Sequence, residues 1–133
     1  MALNIVLYEP EIPANTGNIG RPCVATGTRL HLIEPLGFQL TEKAVKRAGM
    51  DYWHELDVTR YIDYYDFLEK NPNAKIYMAT TKGRRVYTDV SYEPDCFLMF
   101  GKESAGIPEE ILKAHPAEAV RIPMLGDTRS LNL

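Results

Sequence analysis

The chain has 133 residues, 45% hydrophobic and 25% charged, which suits one domain, residues 1–133, able to build a core without disulfide or metal staples. Its net charge of −3 argues against a polycationic nucleic-acid binder, although Lys43, Lys46 and Arg47 form one local basic group and Lys82, Arg84 and Arg85 another. The apolar runs Ile5-Val6-Leu7-Tyr8 and Cys96-Phe97-Leu98-Met99-Phe100 are too short to span a bilayer, and the start Met1-Ala2-Leu3-Asn4 lacks the regions of a signal peptide, so a cytoplasmic chain is expected.

Leu3 to Tyr8 is apolar and β-rich and predicts the first strand, ended by Glu9-Pro10. Glu11 to Gly17 reads as a loop. A short helix is expected from Asn18 or Ile19 to about Thr26, with Gly27 as its stop, because Pro22 fits a helix best in the first turn. Arg29 to Ile33 predicts a second strand, closed by Glu34-Pro35. Thr41 is a suitable N-cap for a helix through Ala48, and Gly49 ends it. Asp63 to Lys70 reads as a helix stopped by Asn71-Pro72. Lys75 to Thr80 predicts a third strand, and Cys96 to Phe100 a fourth, continuously apolar as for a strand covered on both faces. Ile107 to Ala114 reads as a helix started by Pro108, and Ala119 to Ile122 as a fifth strand. Strands that alternate with helices imply an α/β fold: a mostly parallel sheet with helices on both faces.

Open parallel sheets bind ligands beyond the carboxyl ends of their strands. Three segments there are rich in glycine and small polar residues: Asn15-Thr16-Gly17-Asn18-Ile19-Gly20-Arg21, Gly101-Lys102-Glu103-Ser104-Ala105-Gly106 and Gly126-Asp127-Thr128-Arg129-Ser130-Leu131-Asn132. They read as loops, and none fits the dinucleotide fingerprint, the phosphate-binding P-loop or the serine nucleophile elbow. His31, His54 and His115 lie away from all three and read as strand or surface residues rather than catalytic bases. Cys23 and Cys96 read as free thiols, and no Cys-x-x-Cys or His-rich cluster suggests a metal.

In this order and spacing the three segments resemble the signature motifs of the SPOUT class of RNA methyltransferases: Asn15 to Arg21, then Phe100 to Gly106, then Ile122-Pro123-Met124 with Ser130-Leu131-Asn132-Leu133. The likeness is closest to the TrmL-like subfamily, which Leu3-Asn4-Ile5-Val6-Leu7-Tyr8-Glu9-Pro10-Glu11-Ile12-Pro13 resembles nearly residue for residue. Ile33 to Phe38, Lys46 to Tyr52 and Thr80 to Gly83 resemble it too, so the likeness covers the whole chain. It implies an S-adenosylmethionine-dependent methyltransferase that acts on the ribose 2′-oxygen of the tRNA wobble nucleotide 34, a cytidine or modified uridine. It also implies a homodimer and a C-terminal trefoil knot. The chain stops at Leu133, inside the third motif, where the family continues with a further turn and a final helix. The knot is therefore expected to be incomplete in a truncated chain.

The resemblance assigns the cofactor to backbone groups of Ala79, Thr80, Gly101, Ile122, Met124, Ser130 and Leu131. A backbone-lined apolar slot suits adenine, and Gly101 would let the backbone come close; Met124 and Leu131 also suit a plain core. The likeness gives the catalytic place to Arg21, with Asn15 and Glu103 to orient it or the ribose; capping of the following helix is another reading of Glu103. A guanidinium is a poor proton acceptor, so stabilising the developing alkoxide or gripping a phosphate is the role expected of Arg21. Lys46, Arg47, Lys82, Arg84 and Arg85 are candidate tRNA phosphate contacts, or else solvated surface. Gly20 and Pro22 depart from the family pattern, and Pro22 is expected to hold Arg21 out of helical conformation. Rival readings are a 2′-O-methyltransferase for another tRNA or rRNA site and a non-catalytic RNA-binding module of the same fold.

Overall fold

A computed structural model of the chain describes residues 4–11, 13–38, 41–47, 53–72, 74–79, 85–86, 95–102, 104–114 and 119–121. Among these it forms seven strands: β1 (Asn4–Tyr8), β2 (Arg29–Ile33), β3 (Val58–Tyr61), β4 (Ile76–Ala79), β5 (Arg85–Val86), β6 (Phe97–Phe100) and β7 (Ala119–Arg121). The helices are α1 (Pro13–Thr26), α2 (Glu42–Arg47), α3 (Tyr64–Lys70) and α4 (Glu109–Ala114), with a 3-10 turn at Trp53–Glu55. The strands make one sheet in the order β3-β2-β1-β6-β4-β7-β5, and every pairing is parallel. All the strands therefore present their carboxyl ends along one edge.

Side chains alternate across a strand, and the core divides accordingly. Val6, Ile33, Met78, Phe97 and Met99 pack on one face with Tyr64 and Phe67 of α3 and Ile111 of α4. Leu7, Leu30 and Leu32 pack on the other with Ile19, Cys23 and Val24 of α1 and Leu56. The expected α/β sheet with helices on both faces is thus present. β6 lies inside the sheet, and none of its residues is exposed. Cys23 and Cys96 are both buried, and no disulfide joins them.

The helix boundaries follow local chemistry where a cap is available. Thr41 Oγ1 accepts from the Ala44 amide at 3.1 Å, as its N-cap position predicts. Asp63 caps α3 in the same way, accepting from the Asp66 amide at 2.8 Å. At α1 the structure corrects the sequence reading. The helix begins at Pro13, not Asn18, and carries Pro22 in its interior. Arg21, expected to be held out of helical conformation, is helical. The reason is packing rather than propensity. Thr16, Gly17, Gly20 and Cys23 recur at helical spacing and are all buried, so small residues line the contact face. Pro13 occupies the first helical position, where a missing amide hydrogen costs nothing. Pro22 is exposed, so its ring sits on the solvent side of the helix and not in the packed face.

β3 and β5 were not expected. β3 is a strand of mixed exposure, with Thr59 and Arg60 exposed and Tyr61 buried, and it lies at one end of the sheet. β5 has only two residues and lies at the other end.

A buried polar chain crosses β1, β2 and β3. His31 Nδ1 lies 2.8 Å from Tyr61 Oη, and Nε2 lies 3.0 Å from Asn4 Oδ1. Asn4 Nδ2 donates to the Asp95 carbonyl, which leaves Oδ1 as the acceptor. His31 therefore carries its proton on Nε2, and Tyr61 donates to Nδ1 while accepting from Asn71 Nδ2. Burial pushes the His31 pKa down to about 4, and the Arg29 charge adds to this. Because the folded value lies below the unfolded one, the stabilisation is complete above about pH 6.5 and is lost as pH falls toward 4. Unfolding free energy should drop by about 2 kcal/mol between pH 7 and pH 5 through this group. Urea titrations at both pH values check it: the drop should shrink in His31→Gln, and an equal drop in both proteins would contradict it.

Candidate active site

The strand order reverses at β1. Its neighbours are β2 on one side and β6 on the other, and both pair with it in register, Leu7 opposite Leu32 and Phe100. A crevice at the carboxyl edge opens where successive connections diverge in this way. The segments that border it are the one leading from β1 into α1 and the one leading from β6 into α4.

The first segment leaves β1 through Glu9, whose backbone is left-handed at φ 46°. The Glu9 amide donates to the Ile33 carbonyl at 2.9 Å, and the Gly37 amide donates to the Pro10 carbonyl at 2.9 Å. A β-carbon on Gly37 would stand 2.7 Å from the Glu11 Cα, so only glycine lets the loop after β2 lie against Glu11. The second segment folds back on itself. The Lys102 carbonyl accepts from the Ala105 and Gly106 amides at 3.3 and 2.7 Å, and Gly106 is left-handed at φ 70°. A β-carbon on Gly101 would meet the Gly106 carbonyl carbon at 2.1 Å and the Ile107 nitrogen at 2.2 Å. Sequence reading had kept Gly101 small for a ligand; its own loop already requires it.

The two segments are tied to each other twice. Lys102 Nζ lies 3.6 Å from Glu9 Oε1. The Ser104 amide donates to Glu11 Oε1 at 2.8 Å. Hydrogen bonds from the Ser104 side chain and backbone hold the Glu11 carboxyl below the usual range. Tyr8 is pushed up to about 12 by burial and by its hydrogen bond to the Glu9 carboxylate, with the Glu9 and Glu110 charges adding, so it remains a neutral donor. Sequence reading missed Glu9 and Glu11 as site residues. Their signal is non-local: two acids at positions 9 and 11 match Lys102 and Ser104 at the same two-residue spacing.

On the far side of β6, the register sets Ala79 of β4 opposite Phe100, and Val120 of β7 opposite Ala79. The ends of β6, β4 and β7 are thus adjacent, which puts Gly101 beside the point where the chain leaves Ala79. Ala79 and Gly101 are half-buried and carry no polar side chain. They offer a ligand backbone groups and an apolar floor, which suits a purine face and edge. Thr80, Ile122, Met124, Ser130 and Leu131, the other expected cofactor contacts, lie outside the described residues, as does the expected knot region at 122–133.

The first motif is not the loop the sequence suggested. Asn15 and Arg21 both belong to α1, and six residues of helix separate them by about 9 Å along the axis. The Arg21 side chain is exposed. Glu103 lies outside the described residues; the helix that follows it, α4, starts at Glu109. Lys46 and Arg47 are exposed in the last turn of α2, which joins β2 to β3. Arg85 belongs to β5 at the opposite end of the sheet from β3, so it does not stand beside Lys46 and Arg47 in the sheet order. Lys82 and Arg84 lie outside the described residues. Among the described residues no group of His, Cys, Asp and Glu has the arrangement of a metal site, and no helix is long and apolar enough to cross a membrane.

Comparison with known proteins agrees with this architecture. The SpoU rRNA Methylase family model matches residues 2–133. A tRNA (cytidine(34)-2′-O)-methyltransferase of Escherichia coli strain K12 is 54% identical over 132 residues, covering 98% of this chain and 84% of that protein. The protein of the same name from Aeromonas hydrophila is 51% identical, covering 98% and 85%. A solved structure described as giving insight into the 2-OH methylation of C/U34 on tRNA matches with TM-score 0.90 and 42% identity over 98% of this chain and 86% of that one. An AdoMet-bound rRNA methyltransferase from Sinorhizobium meliloti matches with TM-score 0.84 at 26% identity; this chain covers 51% of it. With the strand ends arranged in this way and the family model spanning nearly every residue, the chain belongs to the SpoU methylase family of SPOUT-fold methyltransferases.

Proposed function

We propose that this protein transfers a methyl group from S-adenosylmethionine to the ribose 2′-oxygen of nucleotide 34 in tRNA, acting in the cytoplasm as a homodimer. The observation that carries the reading is the 54% identity, over 98% of the chain, to a methyltransferase named for that position. The rRNA methyltransferase is only 26% identical, which favours tRNA over ribosomal RNA.

The cofactor, when bound, supplies an electrophilic methyl on a sulfonium. Ala79, Thr80, Gly101, Ile122, Met124, Ser130 and Leu131 would hold it, with Ala79 and Gly101 at the ends of β4 and β6. The protein's task is then positioning and charge stabilisation rather than covalent chemistry. Arg21 stabilises the oxygen as its proton passes to solvent water, and its fork also suits an adjacent phosphate. Asn15 and Glu103 orient the ribose. Lys46, Arg47, Lys82, Arg84 and Arg85 contact phosphates, which set affinity and register but not sequence choice.

The test is to incubate the protein with labelled S-adenosylmethionine and either total tRNA or ribosomal RNA, then map the modified nucleoside by mass spectrometry. A 2′-O-methyl at nucleotide 34 is expected. Methylation of a base, or of ribosomal RNA alone, overturns the reading.

A further inference from the structure

We propose that Glu11 is a positioning residue that sets the cofactor-bearing β6–α4 loop against α1 by holding the Ser104 amide. The inference rests on the functional reading above, and no candidate catalytic or cofactor role covers Glu11.

The two candidate halves of the site come from opposite ends of the sequence. Gly101 and Glu103 stand on the β6–α4 loop, and Asn15 and Arg21 stand on α1. Methyl transfer requires the acceptor and donor groups to keep an in-line geometry, so a small shift between the halves costs rate. Glu11 stands two residues before α1 and reaches Ser104 across the crevice at 2.8 Å. The Ser104 hydroxyl also bonds to its carboxylate. The second tie, Lys102 to Glu9, is longer at 3.6 Å. Glu103 lies in sequence between the two clasped residues, so both of its neighbours are fixed from the β1 side.

The Glu11 end of the clasp is itself braced. Gly37 lies against the Glu11 backbone, where a β-carbon would come within 2.7 Å of its Cα, and the Gly37 amide holds the Pro10 carbonyl. Within its own turn, the β6–α4 loop is held by the Lys102 carbonyl, which accepts from Ala105 and Gly106. That turn fixes the loop's shape but not its position over the crevice. Position is what the Glu11 carboxylate adds, through a charge-assisted bond to a backbone amide.

The experiment compares wild type, Glu11→Ala and Glu11→Gln. It measures S-adenosylmethionine Kd by calorimetry, kcat at saturating cofactor and tRNA, melting temperature, and the Ser104 amide shift by NMR. Glu11→Ala should raise Kd about tenfold and lower kcat by about as much. The Ser104 amide should move upfield, with little change in melting temperature. Glu11→Gln keeps an oxygen acceptor, so its Kd and kcat should return to within about threefold of wild type. A merely structural role would lower the melting temperature and the active fraction and leave Kd and kcat per folded molecule unchanged; that result overturns the proposal. Wild type that methylates nucleotide 34 while Glu11→Ala matches it in Kd and kcat overturns the positioning role alone. Wild type that binds no S-adenosylmethionine overturns the functional reading and this role with it.

Discussion

Replacing Arg21 with alanine is expected to lower kcat by roughly two to three orders of magnitude, the usual cost of removing a donor aimed at a developing oxyanion. The S-adenosylmethionine Kd should stay within about twofold, because Ala79 and Gly101, the candidate cofactor contacts among the described residues, lie at the ends of β4 and β6 and not on α1. The fold should survive: the side chain is exposed, and surface substitutions usually change stability by about 0.5 kcal/mol or less. Arg21→Lys separates two roles. If charge alone matters, lysine restores much of the rate; if the planar fork must bridge ribose and phosphate, it does not. Single-turnover rates and calorimetry on the same preparations check this. Equal losses in Kd and kcat would make Arg21 structural.

Gly101→Ala should be the most damaging single-methyl change in the site. Its β-carbon would lie within 2.1–2.5 Å of three backbone atoms of Gly106 and Ile107. Backbone cannot swing aside as a flexible side chain does, so the Lys102–Gly106 turn must open. A cost of about 2–3 kcal/mol is expected, a fall in melting temperature of roughly 5–10 °C. Cofactor affinity should fall more than tenfold, because Gly101 stands beside Ala79 at the adjacent strand ends. Gly106→Ala is the control. Its β-carbon would meet nothing within 4 Å, and only its left-handed backbone, φ 70°, opposes the change. That costs about 1 kcal/mol. Thermal unfolding of both variants tests the ordering; Gly106→Ala proving worse would show the turn to be limited by backbone conformation rather than by space.

How much of this was legible in the sequence depended on how local each signal is. Thr41 and Asp63 cap helices through contacts three residues away, and both could be read directly. The central strands β1, β2, β4 and β6 are apolar because they are covered on both faces, and they stood out for that reason. β3 did not, because Thr59 and Arg60 are exposed and the strand has only four residues. α1 was misjudged because glycine and proline argue against a helix in isolation, whereas burial of Thr16, Gly20 and Cys23 against the sheet decides the matter in the fold. The spacing of those small residues was the available clue. Arg21 and Gly101 stand in the signature motifs; Glu11 lies in the opening segment of the resemblance, which gave it no role. Its partner lies 93 residues away, and no local pattern reports such a contact. The central strands were thus readable from apolar patterning, and the candidate site motifs from resemblance. The clasp between the loops needed coordinates.

The account depends on one location: the donor must sit where β6, β4 and β7 end, beside the loop that enters α1. A crystal structure of the protein with S-adenosylhomocysteine tests this directly. The account predicts the nucleoside against the Ala79 and Gly101 backbone, with an Arg21 guanidinium, from the same or a second copy of the chain, facing the sulfur side. Ligand seated at the ends of β2 and β3, or Arg21 of every copy turned away from it, would contradict it.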